Sequence, residues 1–197
     1  MASREEIMGR LKAAKRRHYD MPLFDDINPT VYPDVMAAFV DACIAAGCNV
    51  EEVESPADID AVVRRRWPDA AKIASDLPAV TSANISPDAV GSPADLDGVD
   101  VGVIAGEFGV AENGCIWVKP AMKERAVCFI AENLVIAMPR DAVNNMHEAY
   151  ARAAVDPSAG YAAFISGPSK TADIAQVLVM GAQAARTLTV ILVERPN

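Results

Sequence analysis

The sequence predicts one α/β domain, a mainly parallel sheet with helices on both faces. Three observations carry this. Short apolar runs bounded by turn residues recur along the chain at strand length, the clearest being Val101–Ala105, Asn133–Met138 and Thr187–Glu194. Segments of helical period lie between them over most of the chain, which is the pattern of a parallel sheet covered by helices. Over half of the 197 residues are apolar, enough for a single sizeable core, and no repeat or low-complexity stretch divides it. The whole chain, 1–197, therefore reads as one domain, with an N-terminal helix inside residues 1–20.

Ser3 and Glu6 have capping-box spacing and open that first helix, with Ile7, Leu11 and Ala14 on one face. Its far end is basic (Arg16, Arg17), which suits the negative end of a helix dipole. A second helix is expected from about Tyr32 to Ala46, with Pro33 in the first turn and Gly47 as the stop. A strand follows near Asn49–Val53. Ser55-Pro56-Ala57-Asp58 caps a third helix that Pro68 ends, and Lys72–Leu77 reads as a strand. Residues 78–98 are rich in turn formers and read as loops with one short helix near Pro93–Leu96. Beyond them come strands at Val101–Ala105, Gly114–Val118 and Asn133–Met138, and a helix over Asp141–Ala153. A strand at Tyr161–Ser166, a helix over Thr171–Met180 and the final strand Thr187–Glu194 complete the prediction.

Composition narrows the function classes. A net charge of −9 opposes broad nucleic-acid binding and an anionic membrane surface. No apolar run approaches the about 20 residues that span a bilayer, and the first residues lack a signal-peptide core, so the expected compartment is the cytoplasm. Cys43, Cys48, Cys115 and Cys128 contain no CxxC pair, and His18 and His147 have no partner at ligand spacing. No metal, iron–sulfur cluster or other cofactor is expected.

Two segments can hold chemistry. The link Ala105-Gly106-Glu107-Phe108-Gly109-Val110-Ala111-Glu112-Asn113-Gly114 joins two strands, and ligands of open α/β sheets gather outside strand C-termini. Glycines there admit a close ligand, and Glu107 or Glu112 can act as nucleophile, base or clamp. The competing reading is a plain hairpin turned by Asn113-Gly114. The second segment is Ile165-Ser166-Gly167-Pro168-Ser169-Lys170-Thr171-Ala172-Asp173-Ile174. A strand, a Gly-Pro-Ser turn and a helix N-terminus would cradle a phosphate or carboxylate, with Lys170 adding charge. Ordinary helix capping competes with it. The site candidates are thus Gly106, Glu107, Asn113, Gly114, Ser166, Gly167, Ser169, Lys170 and Thr171 for binding and Glu112 for catalysis. Glu112 is expected to line the same cleft as the Gly167–Thr171 turn.

These two segments resemble the LUD (lactate utilisation) domain family, and within it the C subunit of the bacterial lactate-utilisation system. The likeness rests on VIAGEFGVAENGCIWV at Val103–Val118 and ISGPSKTADI at Ile165–Ile174. It covers the second half of the chain well and the first half in layout. The resemblance implies the fold of the ribose-phosphate isomerase and CoA-transferase superfamily. It also implies a place in cytoplasmic oxidation of L-lactate to pyruvate, beside partner subunits that carry iron–sulfur clusters, and a small anionic metabolite as ligand. Ala111-Glu112-Asn113-Gly114 is similar to the Ser-Glu-Asn-Gly motif of CoA transferases, whose Glu forms a thioester, so a transferase using Glu112 is the alternative. A non-catalytic regulatory protein is a third reading, because Gly181-Ala182-Gln183-Ala184-Ala185 stands where the family commonly has Gly-Val-His-Gly-Pro.

Overall fold

The computed structural model describes residues 3–14, 27–153, 160–173 and 176–194. Its centre is a five-stranded, all-parallel sheet. The strands are β1 (Asn49–Val53), β2 (Ile73–Ser75), β3 (Val101–Ala105), β6 (Asn133–Pro139) and β11 (Thr187–Val193), in the order β1-β11-β6-β3-β2. The three central strands, β11, β6 and β3, are buried nearly end to end because both sheet faces are covered. Edge strand β1 carries Glu51 and Glu52, which pair with Arg65 and Arg66 and with Arg140.

Helix α3 (Ile59–Arg66) buries Ile59, Val62 and Val63 against one face, on Val101, Val103, Val135 and Ile191. Helices α2 (Val35–Ala46) and α4 (Val127–Ile130) cover the other, on Ala74, Ile104, Leu134, Ile136 and Val190. Helix α1 (Arg4–Ala14) buries none of its residues, so the expected apolar face of Ile7 and Leu11 stays exposed. Residues 15–17, the basic end of that helix as read from sequence, lie outside the described residues. Among the described residues, no helix is long and apolar enough to cross a membrane.

A second sheet grows out of the first. Past their C-terminal ends β3 and β6 run on as β4 (Phe108–Val110) and β7 (Ala142–Val143), which also pair in parallel. Amides of Gly106 and Gly109 donate to Ala137 and Asp141 at 2.8 and 2.9 Å and bridge the break. β5 (Cys115–Val118) and β8 (Ala163–Ile165) complete the sheet β7-β4-β5-β8. Phe39 of α2 docks where Gly109 leaves room, since a Cβ at Gly109 would stand 2.5 Å from its ring.

Three of the differences from the sequence reading have a clear local cause. Helix α2 starts at Val35, because Asp34 takes the N-cap and receives the Ala37 amide at 3.0 Å. Helix α5 is Met146–Ala153, not Asp141–Ala153; the first residues pair with β4 and Asn145 caps the helix through the Glu148 amide at 3.1 Å. The expected helix over Thr171–Met180 is instead a hairpin, β9 (Lys170–Thr171) against β10 (Val179–Met180). Its helical period offers no face for burial: Val177, Leu178 and Met180 are exposed, so no core contact stabilises a helix there. The hairpin is held instead by Ser169 N to Ala185 O and Gly181 N to Ser169 O, both 2.9 Å.

Candidate functional site

The two segments singled out in the sequence meet at the last turn of α2. Ser166 donates its hydroxyl to the Asn113 carbonyl at 2.9 Å. Gly114 and Gly167 are both at positive φ and both pressed on α2. A Cβ at Gly114 would lie 2.8 Å from the Ala42 carbonyl carbon, and one at Gly167 would lie 2.5 Å from the Ala46 oxygen. The close approach these glycines permit is therefore to a helix backbone. Lys170 donates to the Ala46 carbonyl, capping the negative end of α2. Thr171 pairs in the hairpin and donates to Asp173. With no helix beginning at Thr171, the dipole expected to attract an anion to this turn is missing.

The Ala111–Gly114 segment is the turn of the β4–β5 hairpin. Glu112 accepts the Met146 amide at 2.9 Å and so holds the positive end of α5. Glu107 is exposed and adds to the field of Arg152, which is paired with Asp141. Gly106 lines a cleft of about 380 Å³ at the C-terminal ends of β3, β6 and β11. That is where open parallel sheets take ligands. Its walls include Ile59, Leu77, Pro78, Ala137 and Met138, with Glu194 as the charged member.

A second group lies around α4. Asp76 follows β2, and two residues beyond Ala74 its side chain falls on the face covered by α4. There it adds to the field on the Cys128 thiol, which in turn acts on Tyr161. The Tyr161 ring stands edge-on to Phe129 with centroids 5.8 Å apart. Arg125, just before α4, lies against Gly160, where a Cβ would be 3.2 Å from its Nη1.

Asp76 Oδ1, Arg125 Nε and Tyr161 Oη are buried atoms with no hydrogen-bond partner, and Arg125 has no carboxylate partner among the described residues. Burial pushes the Asp76 carboxyl up, and the Asp88 carboxylate adds to this. Burial likewise raises the Tyr161 hydroxyl and carries the Cys128 thiol to about 11. Three unpaired polar atoms around one short helix need an explanation, since buried polar groups are nearly always paired. Arg125 Nε and Tyr161 Oη are donors, and burial disfavours the anion of Asp76. Among the described residues no group of three His, Cys, Asp or Glu is placed to hold a metal ion.

A family model of the LUD domain matches residues 93–193, from the short helix at Pro93–Leu96 to the end of β11. The match includes Arg125 and Tyr161. Comparison with curated proteins found no match. Among solved structures, a DUF162 family protein from Deinococcus radiodurans superposes with a TM-score of 0.60. The superposition covers 84% of this chain and 99% of that chain at 17% identity, and it speaks for the fold. With the family model spanning just over half of its length, the chain belongs to the LUD-domain family.

Proposed function

We propose that this LUD-domain protein binds a small organic carboxylate between Asp76, Arg125 and Tyr161, as the subunit without iron–sulfur clusters of a cytoplasmic system that oxidises L-lactate to pyruvate. The observation that carries the binding reading is the trio of buried, unpaired polar atoms of Asp76, Arg125 and Tyr161. Arg125 supplies a fixed positive donor for a carboxylate and Tyr161 a neutral one. Asp76, raised by burial, can donate to a 2-oxo group or accept from a 2-hydroxyl. A 2-hydroxy or 2-oxo acid satisfies all three. The place in lactate oxidation rests on the resemblance of the Val103–Val118 and Ile165–Ile174 segments.

Glu112 favours this reading over the transferase. Its carboxylate is engaged as a helix cap, and a nucleophile must be free to attack.

The test is calorimetric titration with L-lactate, pyruvate and the neutral amide of lactate. Saturable binding of the two acids, with no binding of the amide and none in Arg125→Leu, supports the proposal. Equal binding of acid and amide, or unchanged binding in Arg125→Leu, overturns it.

A further inference from the structure

Helix α2 ends in Cys43-Ile44-Ala45-Ala46-Gly47-Cys48, and its terminal geometry brings the two cysteines together. Gly47 takes φ 92°. The Gly47 amide donates to Ile44 O and the Cys48 amide to Cys43 O, both at 2.9 Å. This is the Schellman arrangement, in which the residue two past the helix folds its side chain back onto the last turn. The folded-back pair is here two thiols, close enough that each acts on the other.

The surroundings of the two sulfurs differ. Cys43 is fully buried and donates its S–H to the Gly114 carbonyl oxygen at 3.7 Å. Cys48 is 7% exposed, and the Cys43 thiol, the Gly167 amide and the Lys170 ammonium act on it. These favour its anion, against burial, and hold its thiol below the ordinary value. The neighbouring Cys48 and burial push Cys43 up. One sulfur is thus set as nucleophile and the other as its proton-bearing neighbour. Cys115 also acts on Cys43, beside Ser166 and Glu112.

We propose that Cys43 and Cys48 form a dithiol site that a hydroperoxide oxidises to an intramolecular disulfide. The Cys48 thiolate attacks the distal peroxide oxygen. An S–O bond forms, the O–O bond breaks, and the leaving oxyanion takes a proton to become water or an alcohol. Cys43 then attacks the sulfenic sulfur; the S–S bond forms and hydroxide leaves with the Cys43 proton as water. Two thiols lose two electrons and one peroxide gains them. Oxidation changes the sulfur on which the Gly167 amide and Lys170 act, so the state of the pair reaches the Gly167–Thr171 turn. The site does not depend on the carboxylate reading.

The experiment is a hydrogen peroxide titration of the whole protein, followed by alkylation in denaturant and peptide mass mapping. The expected product has lost two hydrogens, leaves Cys43 and Cys48 unalkylated together, and leaves Cys115 and Cys128 alkylated. Lys170→Met should slow the oxidation at least tenfold at pH 7, with the rate recovering at pH 9 as the thiolate forms without help. Oxidation beginning at Cys115 or Cys128, Cys48 passing to sulfinic acid without a disulfide, or a Lys170→Met rate equal to wild type would each overturn the proposal. Mapping on the unaltered protein keeps the result independent of whether Cys43→Ser folds.

Discussion

Replacing Tyr161 with Phe separates a binding hydroxyl from a structural one. The Tyr161 oxygen is buried without a partner, while its ring rests edge-on against Phe129 at 5.8 Å. Phe keeps the ring contact and deletes only the oxygen. Burying an unpaired hydroxyl costs about 1–3 kcal/mol, so the ligand-free variant should gain about 1 kcal/mol over wild type. For a domain of this size that raises Tm by about 2–4 °C. Ser75 provides the opposite sign. Its hydroxyl donates to Val103 O at 2.9 Å and accepts from Leu77 N at 3.1 Å, so Ser75→Ala should lose about 1–2 kcal/mol. Scanning calorimetry with and without L-lactate is the assay. A ligand at one hundred times its Kd stabilises the wild type by about 2.7 kcal/mol. Tyr161→Phe should begin higher and gain much less. If Tyr161→Phe falls as Ser75→Ala does, the hydroxyl has a structural role and the reasoning fails.

Three further outcomes follow from other contacts. Glu112→Ala should lower stability by about 1 kcal/mol through loss of the α5 cap, and leave carboxylate binding unchanged, as urea melts and calorimetry would register. Burial works to raise Asp60, yet the Ser82 hydroxyl and amide, the Thr81 hydroxyl and Arg64 together hold its carboxyl far below the usual range. The stability it contributes is therefore fully present above its unfolded value and lost progressively as pH falls from about 4 through its much lower folded value, so the gap in urea midpoint between wild type and Asp60→Asn should be wider at pH 7 than at pH 3. Gly109→Ala should cost about 1–3 kcal/mol because its Cβ meets the Phe39 ring at 2.5 Å; Phe39→Leu in the same chain should recover part of that in thermal melts.

The parallel sheet was legible because β3, β6 and β11 are apolar runs buried on both faces, and no other element accommodates VGVIA or TLTVILV so well. Gly47 marked the end of α2 correctly for the same local reason, a backbone that turns left-handed. The stretch after Gly167 misled because helical period alone does not form a helix; a face must be buried, and Val177 and Leu178 are not. The glycines of the 105–114 link were read as admitting a ligand, whereas what stands close to Gly114, and to Gly167, is α2. Asp76 and Tyr161 carried no signal: each is ordinary in its own segment, and only the sheet order and the placing of α4 gather them with Arg125. The dithiol was legible in principle, since Cys43 and Cys48 flank a helix-ending Gly47 at the spacing of a Schellman turn.

The carboxylate site is tested most directly by a crystal structure of the protein grown with saturating L-lactate or pyruvate. The ligand carboxylate is predicted on Arg125 Nε and the Tyr161 hydroxyl, with its 2-oxygen turned to Asp76. A ligand seated instead on the Gly167–Lys170 turn, or in the apolar cleft beside Gly106 with Arg125 untouched, would contradict the account.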